Sequence, residues 1–152
     1  MLDLTTELRR IVEVFDAAGV AYALAGGLAV SIYAVPRATQ DIDMLIAVSD
    51  LDRVITPLGR VGFRIVGRPM TMAGGRLDIQ RFVKTEGADL LPLDLLLPTD
   101  PVLGQILTTR VEIPWEGARL SIVTLEGLRT LKRLRGSAQD LADLEALGGE
   151  SP

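Results

Sequence analysis

A chain of 152 residues with net charge −4, 48% hydrophobic residues and only 4% aromatics can bury one core, built mainly from Leu, Val, Ile and Ala. It has no histidine and no cysteine, which excludes Ser-His-Asp triads, histidine bases, thiolate nucleophiles, disulfides and zinc–thiolate sites. Enzymatic chemistry here would rest on carboxylates, Lys, Arg, hydroxyls and a hard cation held through oxygen, and the acidic balance disfavours general nucleic-acid binding while leaving room for a local basic patch.

No apolar run approaches about eighteen residues, so no membrane span is expected. The first residues lack a basic region followed by an apolar stretch, so they do not read as a signal peptide, and the expected location is cytoplasmic.

In chain order, an amphipathic helix covers residues 5–18: Leu8, Ile11, Val12 and Phe15 recur at helical spacing, Thr5 or Thr6 can cap it, and Gly19 ends it. Residues 20–25 form a short apolar run, read as a buried strand. Gly26-Gly27 interrupts, residues 28–33 begin a short helix, and Pro36 closes it. A second strand covers 41–48, apolar inside except for Asp43. The next helix runs to about residue 60, capped by Ser49 or Asp50 and kinked or shortened by Pro57. Residues 62–66 are a third strand, and 67–75 read as a loop with Pro69 and a Gly74-Gly75 turn.

Residues 77–83 alternate, with Leu77, Ile79, Arg81 and Val83 on one face and Asp78, Gln80 and Phe82 on the other. Residues 90–97 are a strand containing Asp94, and 99–109 a short helix. Residues 110–113 and 120–123 form a hairpin around Trp115-Glu116-Gly117. Helices at about 125–134 and 138–147 end the pattern, separated by Gly136-Ser137. The class is α/β (α+β): one domain over 1–152, a small mixed sheet flanked by helices, a core over about 5–123 and two C-terminal helices within about 125–147.

Asp41 and Asp43 stand two apart on a strand, so both carboxylates project from one face. Their Cα atoms are then roughly 6–7 Å apart, within reach of one pair of metal ions. A charge inside an apolar strand is costly unless paired or metal-bound. Asp94, within Leu91-Pro92-Leu93-Asp94-Leu95-Leu96-Leu97, repeats that theme. Asp78 competes with it as a third carboxylate, although its alternating neighbours would also let it face water. A Gly pair between strand and helix lets backbone N–H groups approach a phosphate, and the helix dipole adds to that.

Ala25-Gly26-Gly27-Leu28-Ala29, followed by Arg37-Ala38-Thr39-Gln40-Asp41-Ile42-Asp43, resembles the signature of the DNA polymerase β-type nucleotidyltransferase superfamily. Its Arg-x-Thr-x-Asp-x-Asp form is similar to small bacterial proteins related to AbiEii-type toxins and to minimal nucleotidyltransferases. The resemblance covers about residues 5–97, and the C-terminal helices loosely.

It implies a nucleotidyltransferase-type fold and Mg²⁺-dependent transfer of NMP from an NTP, ATP first, to a hydroxyl on RNA, a protein or a small molecule, releasing pyrophosphate. It implies Gly26 and Gly27 as the triphosphate cradle. It also implies Asp41, Asp43 and Asp94 as catalytic ligands of two Mg²⁺ ions, with Mn²⁺ as the substitute.

Arg37 would either steady the loop before Asp41 or contact the nucleotide, and Thr39 reads as a structural hydroxyl. Arg129, Lys132 and Arg133 fall on one helix face, which is explained by solvation or, following the family pattern, by Lys132 reaching the triphosphate. Asp140 and Asp143 would face solvent or pair with these bases. The alternative role is a non-catalytic protein of the same fold that binds another protein, as in a toxin–antitoxin pair. A glycosyltransferase-like or nuclease metal site is a third reading.

Overall fold

The computed structural model describes residues 1–34 and 40–148. Helix α1 (Leu4–Ala18) precedes strand β1 (Tyr22–Ala25), helix α2 (Gly26–Tyr33) and strand β2 (Ile42–Ile46). Helix α3 (Leu51–Arg60) leads into strands β3 (Arg64–Met72), β4 (Leu77–Glu86) and β5 (Asp89–Pro98). Helix α4 (Pro101–Thr108), the hairpin β6 (Val111–Trp115) and β7 (Ala118–Ile122), and helices α5 (Leu125–Arg135) and α6 (Ala138–Ala146) complete the order.

The sheet is mixed and has seven strands in the order β3-β4-β5-β2-β1-β7-β6. β2 runs parallel to β5 and antiparallel to β1, while β1 runs parallel to β7. The core is aliphatic, as the composition requires: Leu24, Ile42, Met44, Leu45, Ile46, Leu93 and Leu95 of the central strands are sealed from solvent, with Phe15, Phe63 and Phe82 filling the larger gaps. α1 packs against α3, and α2 packs on β1 and β2 and against α5. No helix among the described residues is long and apolar enough to cross a membrane.

The expected mixed α/β class and element order hold, with local corrections. α1 is capped by Asp3, two to three residues ahead of the expected threonines; its carboxylate accepts from the Thr6 N–H and hydroxyl at 2.9 and 2.6 Å. α2 takes in the glycine pair instead of starting after it. β2 is shorter than expected, because the chain turns through a 3₁₀ segment at Val48–Asp50. α3 runs through Pro57, and Asp50 makes no side-chain cap there.

The largest correction concerns residues 67–72, expected as loop. β3 continues through them, with a register irregularity between Val66 and Met70. β3 is an edge strand, so the missing N–H of Pro69 removes no obligatory ladder bond, and the bulge absorbs the residue. The side chain of Gln80, buried on β4, fills the gap by donating to the carbonyls of Val66 and Gly67 at 3.2 and 3.3 Å.

Candidate active site

The register of the sheet assembles the site. Ala25 pairs with Asp43, Asp43 with Asp94, and Asp94 with Arg81, so one row crosses β1, β2, β5 and β4. Paired residues project from the same face, about 5 Å apart. Asp43 and Asp94 are therefore neighbours although far apart in sequence. Asp41 lies just before β2, and its charge is felt at Asp43. Asp78 lies elsewhere: it accepts from the Thr71 hydroxyl at 3.0 Å, and its register partner on β5 is Leu97.

Gly26 is fixed in place by Asp43. Its φ is +64°, a region that L side chains rarely adopt, and a Cβ there would lie 2.7 Å from Asp43 Cγ. Any larger residue would displace either the helix start or the carboxylate. The residue before it, Ala25, has no side chain able to cap α2, so the first turn presents its N–H groups without a side-chain acceptor from that position. The tight turn thus sets Gly26 against Asp43 at the start of α2, with Gly27 following in the first turn.

Two like charges about 5 Å apart repel by roughly 3 kcal/mol at an effective dielectric near 20. The carboxyl of Asp43 is accordingly pushed up to about 6, first by burial and then by Asp94, with Asp41 adding to the rise. Arg135 and then Lys132 act against it. The charge of α5 therefore reaches the site, and Arg135 has the larger influence.

Arg81 is the site residue that the motif did not reveal. Its Nε and Nη2 donate to the two oxygens of Asp94 at 2.8 and 2.9 Å, a bidentate pair. A signal for it was present in the sequence. A tight turn at Gly87-Ala88 pairs Glu86 with Asp89, and counting outward from there brings Arg81 opposite Asp94.

Lys132 is 4% exposed, which corrects its reading as part of a solvated face. Its Nζ lies 3.2 Å from Asp140 and 2.8 Å from Asp143, both also buried, so the expected pairing of these aspartates is found and their exposure is not. Burial raises the Asp140 carboxyl, but the Ser137 hydroxyl, Arg135 and Lys132 outweigh it and hold it below its ordinary value. Arg37, Thr39 and Pro36 lie outside the described residues.

The donors suit a hard divalent cation in type: all three expected ligands are carboxylates. The charge of Asp41 is felt at Asp43, so the two carboxylates share one region. Both oxygens of Asp94 accept from Arg81, which occupies one lone-pair site on each. Among the described residues, no three acidic side chains are placed to hold one metal ion.

Solved structures share this architecture. The antibiotic-resistance factor ANT(2'')-Ia aligns over 94% of this chain and 81% of its own, with 13% identity and a TM-score of 0.64. The lincosamide antibiotic adenylyltransferase LnuA, solved with lincomycin bound, aligns over 94% and 95%, with 17% identity and a TM-score of 0.62. TM1012 of Thermotoga maritima, a proposed nucleotidyltransferase, aligns over 91% and 88%, with 14% identity and a TM-score of 0.64. ANT(2'')-Ia has also been solved with adenylyl-2''-tobramycin. No family model matches the chain, and comparison with curated protein sequences found no match. At these identities the likeness lies in backbone architecture, and by that measure the chain has the nucleotidyltransferase fold.

Proposed function

We propose that the chain is a metal-dependent nucleotidyltransferase that moves NMP from an NTP, with ATP the first candidate, to a hydroxyl of a small-molecule acceptor. The observation that carries this is the row Ala25–Asp43–Asp94, with Gly26 packed on Asp43 at the start of α2. Lincomycin in LnuA and adenylyl-tobramycin in ANT(2'')-Ia favour a small acceptor over RNA or protein. The Arg-x-Thr-x-Asp-x-Asp spacing supports the small bacterial AbiEii-like or minimal group within this fold.

On this reading, Gly26 and Gly27 let the triphosphate approach the backbone, and the start of α2 supplies partial positive charge. Asp41 and Asp43 would hold Mg²⁺, with Asp94 joining them once freed from Arg81; the metal would supply charge neutralisation at the reacting phosphate. Asp94, once freed from Arg81, would help accept the proton of the acceptor hydroxyl. Arg135 offers a cation for the phosphates from the end of α5, and Lys132 does so only if it leaves Asp140 and Asp143. Arg37 would contact the nucleotide.

The test is transfer from labelled NTPs with Mg²⁺ to a panel of hydroxyl-bearing antibiotics that includes lincomycin and tobramycin, followed by pyrophosphate release. Wild type should label an acceptor, and Asp43→Asn should lower the rate by at least about 100-fold. Wild type that labels nothing and binds Mg-NTP no better than the variant would falsify the enzyme reading.

One observation favours a second reading. The occupied Asp94 suits a chain that uses this fold to bind a protein, as one half of a toxin–antitoxin pair. Metal-dependent turnover by the isolated chain would count against that role.

A further inference from the structure

We propose that Arg81 is an exchangeable counter-ion: it holds Asp94 in the metal-free protein and gives up at least one carboxylate oxygen when a divalent cation binds. The proposal rests on reading Asp41, Asp43 and Asp94 as the metal-binding carboxylates.

The geometry sets up a competition for one group. Asp94 lies between Asp43 on β2 and Arg81 on β4, in a single register row. A cation shared by Asp43 and Asp94 needs an Asp94 oxygen turned toward β2. The guanidinium fork holds both oxygens from β4, at 2.8 and 2.9 Å. The fork takes one lone-pair site on each oxygen, so a cation shared with Asp43 has to compete with it for the carboxylate. A guanidinium and a divalent ion on the same carboxylate would also repel each other at close range.

Exchange is feasible because the partners are unequally placed. The Asp94 side chain is 12% exposed, whereas that of Arg81 is 43% exposed. Arg81 can swing into water and recover its hydration, while Asp94 stays where the strands hold it. Water reaches the guanidinium side of the pair, and a divalent ion carries twice the charge of Arg81, so it can compete for the carboxylate. While it lasts, the pair neutralises Asp94 beside Asp43, a task that passes to the cation once one binds. Arg81 is thus a positioning residue acting through Asp94.

The experiment measures Mn²⁺ affinity of the full chain, stripped of metal, by calorimetry and by the electron paramagnetic resonance of free Mn²⁺. Wild type, Arg81→Ala, Asp94→Asn and the double variant form a cycle. Arg81→Ala should tighten Mn²⁺ binding by about 10-fold, and the gain should vanish in the Asp94→Asn background. Arg81→Lys, which keeps the charge but loses the fork, should fall between wild type and Arg81→Ala, and it serves if the alanine variant does not fold.

Unchanged or weaker binding in Arg81→Ala and Arg81→Lys would show a fixed tether and overturn the proposal. Equal tightening with and without the Asp94 carboxylate would show a general charge effect and overturn it too. If Asp43→Asn abolishes Mn²⁺ binding while the Arg81 variants bind as wild type, only the exchange fails. If no variant, nor wild type, binds Mn²⁺, the metal-site reading fails with it.

Discussion

Asp43 shows at the scale of one residue what the site costs the fold. Its carboxyl lies at about 6 against an ordinary 3.8, raised by burial first, then by Asp94 and Asp41, with Arg135 and Lys132 opposing. The folded state therefore prefers the protonated form. Well below pH 3.8 the group is protonated in both states and costs nothing, and near pH 4 the cost is still small. As pH rises from about 4 to about 6, the unfolded chain gains a solvated carboxylate that the folded chain resists forming, and stability is lost. Asparagine has the same shape without the charge. In metal-free buffer, Asp43→Asn should raise Tm by about 3–8 °C near pH 8 and shift it far less near pH 4. Scanning calorimetry in EDTA at the two pH values checks this, and an equal shift at both would contradict the account. Stability given up at this one position is expected where a carboxylate is held ready for a cation.

At the scale of elements, a clamp between α5 and α6 holds the last two helices together, and α5 packs against α2. Ser137 and Asp140 cap α6 reciprocally, Gly136 ends α5 in the left-handed region, and Lys132 joins α5 to two aspartates of α6. Arg129 adds a bond from α5 to the Leu147 carbonyl at 2.8 Å. Lys132→Met keeps the stem but takes the ammonium from Asp143 and leaves Asp140 with Arg135 at 3.7 Å, so it should destabilise the chain by about 3 kcal/mol. Urea unfolding with an unchanged m-value measures that loss directly. A loss below about 1 kcal/mol would show that the amine is not structurally committed and is free for another partner.

The same elements show what could be read from the sequence. Gly26, Asp41 and Asp43 were legible because their spacing is local. Asp94 was legible because an acid in a leucine run needs a partner. Arg81 was missed because strand alternation gives a face but not a neighbour, and the neighbour is set by pairing across a turn. Lys132 was misread as solvated because helix periodicity cannot show that a second helix covers that face. The extension of β3 was missed because Pro69 reads as a breaker, whereas an edge strand tolerates it.

At the scale of the whole molecule, protection is unevenly distributed across the sheet. β1, β2 and β5 are flanked on both sides by other strands, and apart from Leu90 near the start of β5 their leucines, isoleucines and Met44 are almost fully sealed. β3 is exposed along nearly its whole length, Ile65, Val66 and Met70 included. Backbone amides of β1, β2 and β5 should therefore exchange with deuterium only on global opening, while those of β3 exchange faster by at least about 100-fold. Uniform protection across all seven strands would contradict this. The bulge at Val66–Met70, with Pro69 inside it, also breaks the row of free groups that an edge strand would otherwise offer to another chain.

The hairpin that joins β4 to β5 bears on how the chain assembles. Arg81 and Asp94 meet across the Gly87-Ala88 turn, a contact that closes in microseconds because little chain lies between them. Asp94 and Asp43 meet only after about a third of the chain has been looped out, which is intrinsically slower. On that order the hairpin would reach β2 with Asp94 already paired to Arg81. The guanidinium proposed above to yield to a cation would then also be what lets two like charges be brought together during folding.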